Sequence, residues 1–252
     1  MKYVINSHYL NSEEFLKDNI LNFDSRGDDF GNQKRNSLKL FKLGDVTINI
    51  KSFRVPNVIN QIVYKFFRKS KAQRSYEYAN KLLDLKIGTP TPIAYFELPS
   101  VLLFKKSYYI SEHLDYDLTY RELGRDLKYP DHDTILRAFT RFTHTLHQNN
   151  INFLDHSPGN TLIRKKGNNY TFYLVDLNRM EFKPLSFEDK VKNFARLTKH
   201  ESMVRTMSDE YAKCSGETFE RVFELMWSAT QDFRDKIERK KRIKSRLKFL
   251  KK

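Results

Sequence analysis

Hydrophobic and polar positions alternate along the chain with two periods, and the change from one to the other divides it. Leu38 to Phe41, a turn at Leu43-Gly44-Asp45, and Val46 to Ile50 predict a β-hairpin. In its second strand Val46, Ile48 and Ile50 share one face, which puts Thr47, Asn49 and Lys51 on the other. Val58, Ile59, Ile62, Val63, Phe66 and Phe67 then repeat at helical spacing. A further helix from about Ser70, with Ala72, Tyr76, Ala79 and Leu83, is expected to end near Gly88, before Thr89-Pro90-Thr91-Pro92. Ile93 to Glu97 and Val101 to Ser111 predict strands, the second broken by Lys105 and Lys106. Beyond about Glu112 the helical period takes over. Asp131 or Asp133 can cap a helix whose stripe is Ile135, Phe139, Phe142 and Leu146. Thr161 to Arg164 and Tyr170 to Val175 form a second hairpin around Lys165–Asn169, and from Phe187 onward the pattern is helical. An α+β chain of two lobes with a crevice between them follows: strand-rich over 1–111, mainly helical over 112–238, with a basic tail at 239–252.

Charge sharpens the picture. The net charge of +15 comes from two stretches: residues 52–76 carry +6 without an acid, and residues 239–252 carry +9 without an acid. The rest of the chain balances. A field this concentrated implies an anionic partner such as nucleic acid, an anionic membrane or a phosphorylated substrate. The single cysteine, Cys214, excludes an internal disulfide framework and fits a reducing compartment. The first residues, MKYVINSHYLNSEEF, show no secretory h-region, and no apolar run approaches the roughly 20 residues of a membrane-spanning helix.

The chemistry concentrates where polar residues interrupt these patterns. In "FLDHSPGNTLI", Asp155 and Asn160 bracket a Pro158-Gly159 turn between two apolar runs, and Asp176 closes the strand "YTFYLVD". A plain surface turn uses the same residue types. The order along the chain argues for more. Lys51 stands on a strand, Glu77 on the following helix, Asp155 and Asn160 about a turn, and Asp176 after a hairpin, which is the order of parts in kinase-type phosphoryl transfer. One aspartate orients or deprotonates the acceptor hydroxyl, the asparagine and second aspartate hold Mg²⁺, and the lysine binds phosphates. Glu77 is the only glutamate between residues 52 and 96, so it is the expected ion-pair partner of Lys51.

"RKSKAQRSYEYANKLL", "GTPTPIAY", "LDHSPGNTLI" and "VDLNRM" together resemble the lipopolysaccharide kinase family, which includes the Kdo kinases, from about Arg35 to Met180. The resemblance implies a protein-kinase-like fold with a shortened helical lobe, ATP with Mg²⁺, and phosphorylation of an inner-core sugar hydroxyl, Kdo being the expected acceptor. It assigns Lys51 to the phosphates with Glu77 as partner, Asp155 to catalysis, and Asn160 and Asp176 to the metal. The sequence departs from protein kinases in several places. No G-x-G-x-x-G precedes Lys51; Gly27 and Gly31 are candidates, with Arg35 and Asn36 next in line to meet phosphates. Phe153 stands where many kinases have a histidine, Ser157 where protein kinases have a lysine, and Leu177-Asn178 where they have Phe-Gly. The short stretch after Asp176 favours a small hydroxyl acceptor over a protein.

The implied substrate is an anionic glycolipid, a lipopolysaccharide precursor, met at the cytoplasmic face of the inner membrane. Basic amphipathic segments suit that surface. Residues 55–69 and the tail, where Ile243, Leu247 and Leu250 punctuate the cations, have this character. Nucleic acid ranks below the membrane as the anion. Two other readings stay open: a kinase for another small hydroxyl compound or a protein, and a catalytically silent kinase-like module that binds membrane or nucleic acid. His144 and His147, one helical turn apart, read as packed histidines before metal ligands, since no third ligand is evident.

Overall fold

The computed structural model describes residues 1–31, 36–54, 69–99 and 104–249. The helix expected over 55–69 lies outside them except for Lys69, as do Arg35 and Leu250. The chain forms two compact units. Unit 1 holds residues 1–115 with 175–178; unit 2 holds 116–174 with 179–252.

Unit 1 is a six-stranded antiparallel sheet. In chain order its parts are β1 (Lys2–Ile5), α1 (Glu13–Leu21), β2 (Asp28–Phe30), β3 (Ser37–Leu43), β4 (Val46–Phe53), α2 (Lys71–Asp84), β5 (Pro92–Pro99) and β6 (Phe104–Glu112). The strands lie side by side as β1-β5-β6-β4-β3-β2. The predicted hairpin forms β3 and β4, with Leu43 opposite Val46 and Gly44 at φ +57° in the turn, a backbone region that glycine enters without steric cost. Alternation then sorts β4 onto two faces. Ile48 and Ile50 are fully buried with Leu16 and Ile20, one helical turn apart on α1, and with Phe23 just beyond its end. Phe53, on the opposite face with Lys51, packs with Ala72 of α2 and with Tyr95. Ser70 caps α2, its hydroxyl accepting from the Gln73 N–H at 3.0 Å. Leu82, not the expected Leu83, is the buried leucine of this helix, and Leu83 is largely exposed.

Unit 2 contains β7 (Leu118–Thr119), α3 (Tyr120–Arg125), α4 (His132–Gln148), β8 (Ile151–Phe153), β9 (Thr161–Lys166), β10 (Asn169–Leu174), β11 (Met180–Phe182), α5 (Phe187–Lys192), α6 (Glu201–Ser215) and α7 (Phe219–Phe249). The expected stripe of α4 is in place: Ile135, Phe139 and Leu146 are fully buried, and Phe142 packs at the rim. Asp131 stands at the N-cap of α4, but its side chain makes no cap bond and instead accepts from Lys165 Nζ (2.9 Å) and the Tyr170 hydroxyl (2.6 Å). Strands β9 and β10 form the second hairpin; short β8 and β11 pair with each other. Residues 239–249 continue α7 without a break, and every described position from Arg234 to Arg246 is exposed.

Candidate active site

One group of candidate residues lies in unit 1. Lys51, opposite Leu38 on β3 and Tyr109 on β6, sends its ammonium to Asp176 Oδ1 at 2.7 Å, with the Lys51 side chain only 14% exposed. The same oxygen accepts from Asn178 Nδ2 at 2.7 Å. Asp176 holds φ at +61°. A non-glycine residue in that region is uncommon and costs roughly 1–3 kcal/mol, a strain that gathers at functional sites. The two donors on its carboxylate over-determine the conformation.

The expected Lys51–Glu77 ion pair is not formed. Glu77 accepts from Lys69 Nζ at 2.9 and 2.8 Å and from Gln73 Nε2 at 3.0 Å. Both donors are its near neighbours in sequence, so these bonds order little additional chain. Elimination among glutamates overlooked that the partner of Lys51 is an aspartate distant in sequence. Of the residues expected to meet phosphates, Asn36 accepts the Arg54 N–H at 3.3 Å through Oδ1, so its amide N–H₂ is the end left to donate. Gly27 and Gly31 both hold positive φ, and a Cβ on Gly27 would strike the Phe41 ring. Gly27 is therefore explained by its backbone conformation and by packing.

The second group lies in unit 2 and explains the spacing of "DHSPGN". Asn160 Nδ2 donates to the Asp155 carbonyl at 2.8 Å, while the Asn160 N–H donates to the Ser157 carbonyl at 2.9 Å. Five residues is the separation this back-bond needs. It uses the nitrogen end of the amide, so Oδ1, the end that can ligate a cation, is not consumed by it. A carboxylate and an amide oxygen are hard donors of the kind Mg²⁺ takes, so the Asp176 carboxylate and the Asn160 amide oxygen are each, by their chemistry, of the type such an ion accepts. The Asp155 side chain is 17% exposed, and its Oδ1 accepts from Arg179 Nη1 at 3.1 Å and Arg196 Nη1 at 2.9 Å. Arg196 also donates to the Leu154 carbonyl at 2.8 Å and lies over the Phe233 ring.

Behind this loop sits a partly buried amide hub. Asn193, which ends α5, donates from Nδ2 to Asn152 Oδ1 and to the Phe153 carbonyl, both at 3.0 Å. Its Oδ1 accepts from His156 Nδ1 at 3.1 Å and His147 Nε2 at 3.4 Å. The amide thereby uses all four of its hydrogen-bonding positions. Since an amide oxygen only accepts, each of these histidine nitrogens carries the proton. His147 Nδ1 then accepts from the Tyr211 hydroxyl at 2.9 Å. His156 Nε2 has no hydrogen-bond partner among the described residues and its ring lies among Phe139, Phe153 and Phe194. Burial pushes His156 down to about 4 and His147 down to about 3. Both are neutral packing groups, as the sequence implied for His147; among the described residues no cluster of three metal-ligating side chains occurs.

Sequence reasoning passed over Arg179, Arg196, Asn178 and Asn193. Asn178 and Arg179 sat inside the quoted "VDLNRM"; Arg196 and Asn193 carry no local signal, because only the fold brings them to the loop.

The profile of the lipopolysaccharide kinase (Kdo/WaaP) family matches residues 44–216. No curated protein sequence matches the chain. Among solved structures, "WaaP in complex with acyl carrier protein" superposes with a TM-score of 0.64 at 13% identity, covering 95% of this chain and 99% of that one. At that identity the likeness speaks for the fold, which is protein-kinase-like. The family match spans most of the chain and includes Lys51, Glu77, Asp155, Asn160 and Asp176, so this chain belongs to the lipopolysaccharide kinase (Kdo/WaaP) family.

Proposed function

We propose that the protein is an ATP-dependent kinase that phosphorylates a sugar hydroxyl of the lipopolysaccharide inner core, with Kdo as the acceptor, at the cytoplasmic face of the inner membrane. The observation that carries the reading is the 2.7 Å pair of Lys51 with Asp176, a cation for phosphates tied to a carboxylate for a metal. In this mechanism Lys51 would donate to the nucleotide's α- and β-phosphates, and Asp176 and Asn160 would hold Mg²⁺. The ion, when bound, neutralises charge on the phosphate oxygens. Asp155 orients the acceptor hydroxyl and takes its proton as the oxygen–phosphorus bond forms and the bond to the bridging oxygen breaks, with ADP leaving. Asn160 keeps Asp155 in place through the Asp155 carbonyl. Asn36, and Arg35 before it, are assigned to the nucleotide phosphates. Glu77 keeps a positioning role at most, through Lys69.

Incubating the purified protein with MgATP and a lipopolysaccharide precursor lacking core phosphate tests the reading. Mass spectrometry should show one added phosphate on Kdo. Nucleotide turnover with phosphate appearing only on another small hydroxyl compound or on protein would overturn it, and no turnover with any acceptor would favour the silent module. A second reading concerns the partner of the exposed basic half of α7. The solved neighbour is in complex with acyl carrier protein, so a protein of that kind competes with the membrane for this surface.

A further inference from the structure

The loop that carries Asp155 holds more positive charge than the carboxylate can neutralise. Arg179 and Arg196 both donate to Asp155 Oδ1. A third guanidinium, that of Arg121, lies directly against Gly159 in the same loop. Two of these cations meet on a single oxygen, and no hydrogen bond among the described residues engages Oδ2. If the pair served only to fix Asp155, a single arginine gripping both oxygens would hold it more firmly. The Arg179 side chain is 56% exposed and uses one N–H on Asp155; Arg196 is 36% exposed and lies over the Phe233 ring. Each guanidinium has five N–H donors in a fixed fork, so most of those on Arg179 are open to solvent.

A hydroxyl oriented by Asp155 Oδ2 sits one hydrogen bond from the carboxylate, and a substituent a few bonds away on the same molecule comes within reach of both arginines. An anionic substituent there would find a net positive site, and the planar fork matches carboxylate and phosphate oxygens in a way a lysine ammonium does not. From this geometry we infer that Arg179 and Arg196 bind an anionic group, a carboxylate or a phosphate, carried by the acceptor next to the hydroxyl that is phosphorylated. They are specificity residues: they select the acceptor by a group that does not react. This inference rests on the kinase reading above.

The test crosses acceptor with variant. Three acceptors are used: the native precursor lacking core phosphate, its carboxyl-reduced form and a form stripped of the phosphates it carries outside the core. Wild type, Arg179→Gln, Arg196→Gln and Arg196→Lys are assayed on each, with thermal midpoints recorded so that folding failures are set aside. Wild type should lose about 10- to 100-fold in kcat/KM when the recognised anion is neutralised, as expected for one charge-assisted contact. Arg179→Gln should show a loss of that size on the native sugar, mainly in KM for acceptor, and little further loss on the neutralised one. Arg196→Lys should recover only part of the loss at Arg196→Gln, because the fork is gone. The KM for MgATP should not move. The carboxyl-reduced and dephosphorylated arms say which anion is read. Variants that discriminate native from neutralised acceptor as strongly as wild type, or a loss that appears in the KM for MgATP, would overturn the arginine assignment while the kinase reading stands. No transfer by wild type to any of the three acceptors would instead bring down the kinase reading, and this inference with it.

Discussion

Asp176 and Asp155 each offer one oxygen to two donors, yet their surroundings differ in charge. At Asp176 the donors are Lys51 and the neutral amide of Asn178, so the corner balances to zero. At Asp155 both donors are arginines, so the corner is positive by one. The difference suits two tasks. A balanced lysine–carboxylate pair can separate onto phosphates and a cation, because each partner gains a new counter-charge when it lets go of the other. An overbalanced carboxylate keeps a counter-ion even when an incoming anion takes up one arginine. In the proposed mechanism the first corner takes the metal nucleotide, and the second holds the reactive carboxylate beside an anionic acceptor.

Charge removal at either corner should give the largest effects and separate them. Asp155→Asn and Asp176→Asn are each expected to cut phosphate transfer by about 10³-fold or more, since neither amide can accept a proton or replace a carboxylate on a metal. The losses should differ in kind. Calorimetry with Mg²⁺ and a non-hydrolysable nucleotide should find binding kept in Asp155→Asn and weakened in Asp176→Asn. Equal nucleotide affinity in the two variants would erase the distinction between the corners.

The next effect in size tests the partner of Lys51. Lys51→Met should lower kcat by about 100-fold with little change in thermal midpoint, whereas Glu77→Gln, removed from Lys51 by its bonds to Lys69 and Gln73, should change kcat by no more than a few-fold. A Glu77→Gln loss as deep as that of Lys51→Met would restore the glutamate as the essential partner.

The Lys51 pairing also marks where reading the sequence stops. Features made by neighbours in sequence were legible. The β3–β4 hairpin follows from alternation and a glycine turn, the α4 stripe from its period, and the Asp155–Asn160 spacing from a bond within one loop. Choices made between distant segments were not. Several carboxylates could reach a strand lysine in principle, and only the packed chain selects Asp176 over Glu77. Strand β1 has four residues and pairs with β5 near residue 95, too short to show a period. Asn193 and Arg196 converge on the loop from a segment that looks like an ordinary amphipathic turn.

A smaller effect, on stability, comes from the hub behind the Asp155 corner. His156 and His147 are neutral when folded, held at about 4 and about 3, with burial the leading cause and the bond to Asn193 opposing it. In the unfolded chain each titrates near 6.5. As pH falls below about 6.5 the unfolded state takes up protons that the folded state refuses, so stability drops, at most about 1.4 kcal/mol per pH unit for each histidine. The loss should run to about pH 4 for His156 and about pH 3 for His147, and the histidine contribution should be flat above pH 7. Chemical denaturation across pH 4–7 measures it. His156→Gln should flatten the slope; an unchanged slope would remove His156 from the account.

The smallest effect on chemistry, and the largest on location, belongs to α7. From Arg234 to Arg246 the helix is exposed at every described position, with Ile237 at 36% and Ile243 at 50%. Glu238 is the last acid before the run of nine cations. Such a surface attracts anions at about 1 kcal/mol per cation near an anionic bilayer, less as salt screens it. Deleting residues 239–252 should leave transfer to a soluble, delipidated core sugar within about two-fold of wild type, because no candidate residue at either aspartate lies there. Binding to vesicles containing anionic lipid should weaken, and the gap between full-length and truncated protein should close as salt rises. Duplex DNA and acyl carrier protein are the competing anions and belong in the same titration at one ionic strength. Tighter binding to DNA than to vesicles would make the helix a nucleic-acid surface. A loss confined to acyl carrier protein would make it a protein-docking surface. A truncation that changed none of the three would leave α7 as a solvated charged helix, and the Asp155 corner would then be the main source of anion selectivity.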